Sequence, residues 1–314
     1  MVRLFCEPDA MGVQNMPAAE IDITAGLVRS LLSEQHPDLA GLAIVEVAHG
    51  WDNVMYRIGD DLAVRLPRRA KAARLAGHEQ RVLPVLAPML PLDVPVPLRI
   101  GGPTEAYPWA WTVLRWLPGE RLADSVVEDA LLEARRLGEF MAALHVPAPD
   151  DAPPNPYRGH FIGNNTPIVT KRLEALVDDP AVDAAAVLDR WHELVDDVEP
   201  FALPAAWIHG DLHAMNVLVH DGAFSAVIDF GDVCAGDPAT DLSCAWAFFD
   251  KSARDEFRQA TGSGGLGIDE AVWQRAEAWA LHFAVIYLGQ SADNPTLRRM
   301  GEQLIATLMR TELR

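Results

Sequence analysis

Two short segments constrain this chain most: Trp207-Ile208-His209-Gly210-Asp211-Leu212-His213-Ala214-Met215-Asn216 and Ala226-Val227-Ile228-Asp229-Phe230-Gly231-Asp232. Each runs from apolar, strand-forming residues into a polar cluster. Asp221-Gly222 between them is a hairpin turn signal, so the segments read as neighbouring short strands. Asp211, Asn216 and Asp229 then stand close together at the strand ends. Phosphoryl transfer from a magnesium nucleotide needs a carboxylate to orient the acceptor hydroxyl and hard oxygen ligands for the metal. Asp211 fits the first role, and Asn216 and Asp229 fit the second. The simpler accounts are a structural Asn216 that closes the loop and a turn-capping Asp229. Asp232 is left without a metal role.

The run from His209-Gly210-Asp211 to Asn216 has the form His-Gly-Asp-x-x-x-x-Asn, and Ile228 to Asp232 reads Ile-Asp-Phe-Gly-Asp. With the following Gly236-Asp237-Pro238-Ala239-Thr240-Asp241-Leu242, the chain resembles the aminoglycoside phosphotransferase family over about residues 40 to 290. That family is the small-molecule branch of the protein-kinase-like fold. Protein kinases carry Arg where Gly210 stands and Lys where His213 stands, and both departures favour the small-molecule branch.

The resemblance implies a bilobal α+β fold. Residues 20–117 would form a small sheet-containing nucleotide lobe, and residues 118–314 a larger, mainly helical catalytic lobe. It implies a magnesium-dependent kinase that moves the gamma phosphoryl group of ATP, or of GTP, to a hydroxyl of a small molecule. An aminoglycoside comes first, with a macrolide or small metabolite as the alternative. A noncatalytic nucleotide-binding regulator is the rival from another class. Asp211 becomes the catalytic base, and His209 the residue that orients its loop. Arg65 lies where the family places its phosphate-contacting basic residue, usually Lys, and Glu79 would hold it by an ion pair. A glycine-rich Gly-x-Gly-x-x-Gly loop is missing, and His49-Gly50-Trp51-Asp52-Asn53 takes its place, with Gly50 and Asn53 as phosphate-loop candidates. Leu114-Arg115-Trp116-Leu117 resembles the hinge that receives adenine, with Val113, Leu114 and Leu117 forming the slot.

A chain of 314 residues, half of them hydrophobic, suffices for two lobes around a cleft. A net charge of −19 excludes a general nucleic-acid binder, which needs positive surface. It permits a cationic acceptor, although an acidic solvated surface is the simpler account. Asp196, Asp197, Glu199 and Asp250 are the acidic candidates for such an acceptor, and Trp191, Trp246, Trp273 and Trp279 the aromatic wall candidates. Cys6, Cys234 and Cys244 make no disulfide framework and fit a reducing cytoplasm. Neither a signal peptide nor a membrane span is expected. Nothing fixes an oligomeric state.

Periodicity predicts a loose leader over residues 1 to 19, helices over Ile21–Leu32 and Ala70–Leu86, and strands over Ile44–Ala48, Val54–Ile58, Leu62–Leu66, Pro95–Ile100 and Trp111–Leu114. Further helices are predicted over Ala130–Leu144, Leu173–Leu176, Val187–Val198, Leu242–Phe249, Asp269–Leu288 and Thr296–Met309. The pair within residues 150–200 is expected to form an insertion or substrate lid, and Asn164 to Pro167 an irregular stretch; Asp241 is expected to support the active site without taking part in the chemistry, with a helix N-cap as the simpler account.

Overall fold

Alternating apolar residues in the first hundred positions build an antiparallel sheet. The computed structural model describes residues 18–49, 52–202, 204–291 and 294–310. Helix α1 (Ala25–Gln35) precedes strands β1 (Ile44–His49), β2 (Asn53–Ile58) and β3 (Leu62–Pro67). Helix α2 (Ala70–Leu86) then crosses to β4 (Pro97–Gly101) and β5 (Trp111–Arg115). The strand order is β1-β2-β3-β5-β4. Val28, Leu31 and Leu32 of α1 pack with Tyr56, Val64 and Trp111 of the sheet in one apolar cluster. The predicted first helix starts later than expected, because Thr24 caps it by accepting the Leu27 N–H.

The second apolar cluster is much larger and draws on helices. After β6 (Glu120–Arg121) come α3 (Ala130–Leu144), α4 (Thr166–Ala175) and α5 (Ala184–Val195). Four short strands follow: β7 (Ala206–Ile208), β8 (Val217–His220), β9 (Ala223–Val227) and β10 (Cys234–Gly236). Helices α6 (Ala239–Leu242), α7 (Cys244–Phe248), α8 (Lys251–Thr261), α9 (Glu270–Gly289) and α10 (Pro295–Leu308) complete the order. Helix α9 is apolar nearly all round, as a central helix must be, and α4, α5, α6 and α10 pack against it. The last turns of α2, through Val82, Leu83 and Leu86, also belong to this cluster. Helix α2 is therefore anchored in the larger core while it contacts β3, β4 and β5 of the sheet. Among the described residues, no helix is long and apolar enough to cross a membrane.

Helices α4 and α5 differ from expectation. They are core walls rather than a lid: Val169, Leu173, Val187 and Trp191 are buried in the large cluster. The Trp191 indole donates to Thr166 Oγ1 at 3.0 Å, which joins the two helices. The stretch expected to be irregular begins a helix, with Pro167 in its first turn, where a missing N–H costs nothing. Helix α8 was not resolved as a separate helix by periodicity. Asp250 caps it by accepting the Ala253 N–H.

The β8–β9 hairpin carries two of the three oxygen donors. Asp221 and Gly222 both have positive φ (49° and 74°), as the tight mirror-image turn requires. Val217 pairs with Val227, and the Ile228 N–H donates to the Asn216 carbonyl at 2.8 Å. Asn216 and Asp229 thus flank the same end of the hairpin. Glu133 of α3, buried, accepts the Phe224 N–H at 2.8 Å and pairs with Arg136 at 3.0 Å, so α3 holds the hairpin in place. Replacing Glu133 with Ala should cost about 1–3 kcal/mol, since it strands a buried N–H. Glu133→Gln, which keeps an acceptor oxygen, should recover part of that loss. Urea unfolding of the two variants checks both values.

Candidate active site

The loop from His209 to Asn216 leaves β7, whose Ile208 pairs with Cys234 of β10. Its start is held by a single buried carboxylate. Asp241 accepts the His209 N–H through Oδ2 at 2.7 Å and the Gly210 N–H through Oδ1 at 2.8 Å. His145, at the end of α3, lies 3.1 Å from the same Oδ2. Asp241 sits inside α6 and is no N-cap, so of its two expected roles the geometry carries support of the site. Its work is structural, on the loop that carries Asp211. Gly210 takes φ +83°, and a Cβ there would meet the Asp232 carbonyl oxygen at 2.7 Å. A residue with a side chain would therefore have to shift the backbone.

His209 is fully buried against Phe230. Its Nδ1 accepts the Asp211 N–H at 3.2 Å, so the proton rests on Nε2, which donates to the Ile228 carbonyl at 3.0 Å. Both ring nitrogens are spent on backbone, which makes His209 a positioning residue that ties the loop to the Asp229 strand. His213 is also buried. Its Nδ1 accepts the Met215 N–H at 3.2 Å, and its Nε2 points at Asp211 Oδ2 from 3.5 Å.

Asp211 is buried with its two oxygens in different surroundings. Arg158 donates to Oδ1 at 3.2 Å, whereas Oδ2 has no hydrogen bond. Burial would raise the carboxyl's pKa, but His213, Arg158 and His209 outweigh it and hold the group well below the usual carboxylate range. Asp211 is therefore ionised at neutral pH. The Asn216 amide nitrogen donates to the Asp211 carbonyl at 2.9 Å. A flipped amide would face oxygen with oxygen, so this bond fixes Asn216 Oδ1 on the opposite side. That oxygen is buried without a partner.

Asp229 has the left-handed conformation, φ +66° and ψ +62°, rare for a residue with a side chain. Such strain persists where the surroundings impose it. Arg65 of β3 approaches Asp229 Oδ1 at 3.3 Å and makes a shorter contact with Glu79 of α2, at 2.6 and 2.5 Å to its two oxygens. All three charged groups are buried. A small cavity beside this cluster is lined by Arg65, Glu79, Pro97, Thr112 and Leu114.

Strand alternation splits the proposed adenine slot. Leu114 faces that cavity, but Val113 joins Trp111 in the N-terminal core. The side chain of Val113 therefore points away from the slot, which corrects its assignment. Leu117 lies half-buried beyond the end of β5. Asn53 opens β2, buried, and its Oδ1 has no partner among the described residues. Gly50 lies outside the described residues.

A cavity of about 270 Å³ borders the loop at Leu212, His213 and Ala214 and is walled by Leu122, Phe248, Phe283, Tyr287 and Met300. Arg299 is its charged lining residue. The acidic candidates lie elsewhere: Asp250 is a helix cap and Asp196 pairs with His192 at 3.1 Å. Trp191, Trp273 and Trp279 are buried packing residues rather than cavity walls. Burial pushes the thiols of Cys234 and Cys244 up, so neither is a nucleophile. Among the described residues no group of His, Cys, Asp or Glu forms a metal cluster, and the oxygens of Asn216 and Asp229 are the donors the loop offers.

Sequence reasoning missed Arg158 and His145. Neither lies in a recognisable motif. Arg158 belongs to a proline-rich loop that meets the site through tertiary contacts, with Asn155 donating to Asp232 Oδ1 at 2.8 Å. Gly159 beside Gly236 completes that contact, because a Cβ on Gly159 would lie 2.6 Å from the Gly236 Cα.

Known proteins resemble this chain over most of its length. The model of the family described as "Phosphotransferase enzyme family" matches residues 43–279. The viomycin phosphotransferase of Streptomyces vinaceus is 29% identical over 292 residues, covering 86% of this chain and 95% of that protein. The GDP complex of aminoglycoside 2'-phosphotransferase-IIIa superposes with a TM-score of 0.64 at 19% identity, covering 90% of this chain and 97% of that one. The macrolide 2'-phosphotransferase of Brachybacterium faecium gives a TM-score of 0.59 at 21% identity, covering 92% and 99%. The bilobal, kinase-like α+β fold is shared with these structures.

Replacing Asp241 with Ala should destabilise the protein by about 2–5 kcal/mol, because two buried N–H groups and His145 lose their common partner. Denaturant unfolding measures this. A loss below about 0.5 kcal/mol, the range of ordinary surface substitutions, would show that the loop holds itself.

Proposed function

Since this chain belongs to the phosphotransferase enzyme family, we propose that it transfers the gamma phosphoryl group of ATP to a hydroxyl of an antibiotic-like small molecule, with an aminoglycoside first among acceptors. The carrying observation is a set of three oxygens with different fates on buried residues of one loop and the adjoining hairpin end: Asp211 Oδ2 without a hydrogen bond, Asn216 Oδ1 without a partner, and Asp229 Oδ1 facing Arg65. In this reading residues 118–314 carry the catalytic loop and acceptor, and residues 20–117 the nucleotide.

Asp211 accepts the proton of the acceptor hydroxyl at Oδ2 as the oxygen attacks phosphorus. His209 keeps the loop in register. Arg65 meets the nucleotide phosphates while Glu79 holds it from behind. Leu114 and the backbone beyond it face the base, and GTP is the alternative donor. Asn216 Oδ1 and Asp229 fit a magnesium ion: both are hard oxygens, and the Asn216 oxygen is buried and unsatisfied by protein. Magnesium held there would neutralise charge on the phosphates. ATP chemistry and the free thiols of Cys234 and Cys244 fit a cytoplasmic enzyme.

A macrolide is the second reading, favoured by the apolar wall of Leu122, Leu212, Phe248, Phe283, Tyr287 and Met300 beside the loop. The test incubates the protein with magnesium and ATP or GTP against aminoglycosides, cyclic peptide antibiotics, macrolides and amino alcohols. Mass spectrometry then looks for one added phosphoryl group. No product across the panel, with ATP and magnesium bound but unconsumed, would favour the nucleotide-binding regulator.

Asp211→Asn should fold and lose about 10²–10⁴-fold in rate, the scale of a positioned acid–base group. Near-normal turnover would reject Asp211 as base. Asp229→Ala, and more weakly Asn216→Ala, should raise the magnesium concentration needed for half-maximal rate at saturating acceptor. An unchanged magnesium dependence in both would reject the metal roles. A double-mutant cycle of Arg65→Ala and Glu79→Ala on ATP affinity should show a coupling above about 1 kcal/mol, whereas additive effects would dissolve the pair.

A further inference from the structure

Resting on that phosphotransferase reading, we propose that Arg158 is a further catalytic residue: it contacts the phosphoryl group in flight between nucleotide and acceptor. The inference starts from the split of the Asp211 carboxylate. Arg158 takes Oδ1 at 3.2 Å and leaves Oδ2 unbonded. An acceptor hydroxyl can therefore dock on Oδ2 without expelling the arginine, and the guanidinium stays within one carboxylate's width of the attacking oxygen.

Second, the arginine is presented by a built support. Its loop is pinned on one side by Asn155, which donates to Asp232 Oδ1 at 2.8 Å. On the other side the Asp237 N–H donates to the Gly159 carbonyl at 2.8 Å and the Gly159 N–H to Thr240 Oγ1 at 3.2 Å. The guanidinium also lies over the Phe283 ring, 5.4 Å from its centre, and donates to the Tyr157 carbonyl at 3.1 Å. A buried arginine held this firmly against one carboxylate loses little further entropy when it meets an anion.

Third, the cavity beside it has the right charge and place. Arg158 lines a space of about 340 Å³ with Lys71 and Arg74 of α2 and with Gly231, Asp232 and Val233, the residues just past Asp229. Among the described residues Lys71 and Arg74 make no ion pair. In a chain of net charge −19, this is a local concentration of cations next to both the proposed base and the proposed metal ligand. Fourth, Arg158 is the permanently charged group at the base, where His213 Nε2 also stands 3.5 Å from Asp211 Oδ2. Protein kinases supply a Lys where His213 stands. Here the His213 ring is packed edge-on to Tyr287, with Nδ1 committed to Met215. Arg65 is engaged by Glu79 and Asp229.

In the step itself, the bond from gamma phosphorus to the bridging oxygen breaks and the electron pair leaves with ADP. A bond forms between phosphorus and the acceptor oxygen, whose proton passes to Asp211. Charge spreads over the three equatorial phosphoryl oxygens, and a planar guanidinium bridges two anions by its forked donors.

The experiment uses magnesium, ADP and aluminium fluoride as a mimic of the phosphoryl group in flight, with binding read by calorimetry. The wild-type protein should bind ADP more tightly when fluoroaluminate is present. Arg158→Gln should lose at least about tenfold of that gain while its affinity for magnesium-ADP alone stays within about twofold, because an interaction made to the transferring group does not touch the ground state. Arg158→Lys should recover part of the gain, and it covers the case in which the Gln variant fails to fold. The same loss should persist in an Asp211→Asn background, where a residue acting only by holding Asp211 has nothing left to do. A full fluoroaluminate gain in Arg158→Gln, no gain in the wild type, or loss confined to proteins that retain Asp211 would each overturn the role of Arg158. A wild-type protein that binds no magnesium-ADP at all would instead defeat the phosphotransferase reading.

Discussion

The Asp241 carboxylate is the contact on which the rest of the site depends. One buried anion accepts two consecutive backbone N–H groups, from His209 and Gly210, and meets His145 on its far side. These bonds set the direction in which the chain leaves β7. From there His209 spends both ring nitrogens on backbone, and Asn216 closes the loop back onto the Asp211 carbonyl. No residue in this chain of contacts reaches outward for its own partner. Each is placed by the one before, so the loop behaves as a rigid insert between two short strands. Rigidity of that kind is what electrostatic catalysis requires, because dipoles already in place cost no reorganisation when charge moves.

Helix α2 links this insert to the sheet. Its last turns are packed in the larger core, while Glu79 in its middle grips Arg65 of β3. Arg65 in turn touches Asp229, at the end of the hairpin that α3 supports through Glu133. The sheet and the larger core are thus joined through a charged contact. A shift of α2 would be felt at once by Arg65 and Asp229.

Much of this was legible in the sequence. The spacing of Asp211, Asn216 and Asp229, the turn at Asp221-Gly222 and the bounds of α2 and α3 all carry local signals of period, turn chemistry or motif. The placement of Arg65 against Glu79 follows from a strand and a helix that neighbour each other in the chain. What the sequence concealed depends on packing. The helices between residues 160 and 200 look like an insertion because their apolar stripe is modest, yet α9 gives them a surface to bury against. Asp241 resembles a cap because it precedes an apolar run, and no local rule tells that its partners are the N–H groups of residues 209 and 210. Val113 reads as a slot residue until the register of β5 sends it to the other face. Arg158 gave no signal, since its meaning lies in a carboxylate 53 positions away.

The Arg65 cluster also bears on how the donor arrives. Glu79, Arg65 and Asp229 are three buried formal charges with a sum of −1, so on the proposed function this cluster by itself would oppose a bare polyanion. A nucleotide stripped of its counter-ion would add four negative charges, about the number on free ATP, to a region of low dielectric where repulsion is poorly screened. On the proposed function, entry would become favourable once the nucleotide travels with a divalent cation. Donor and cation would then be thermodynamically linked, each raising the affinity of the other by the same factor. Such a cleft would select for a salt, and its selectivity against free nucleotide would be written into the surplus carboxylate rather than into any contact with the base.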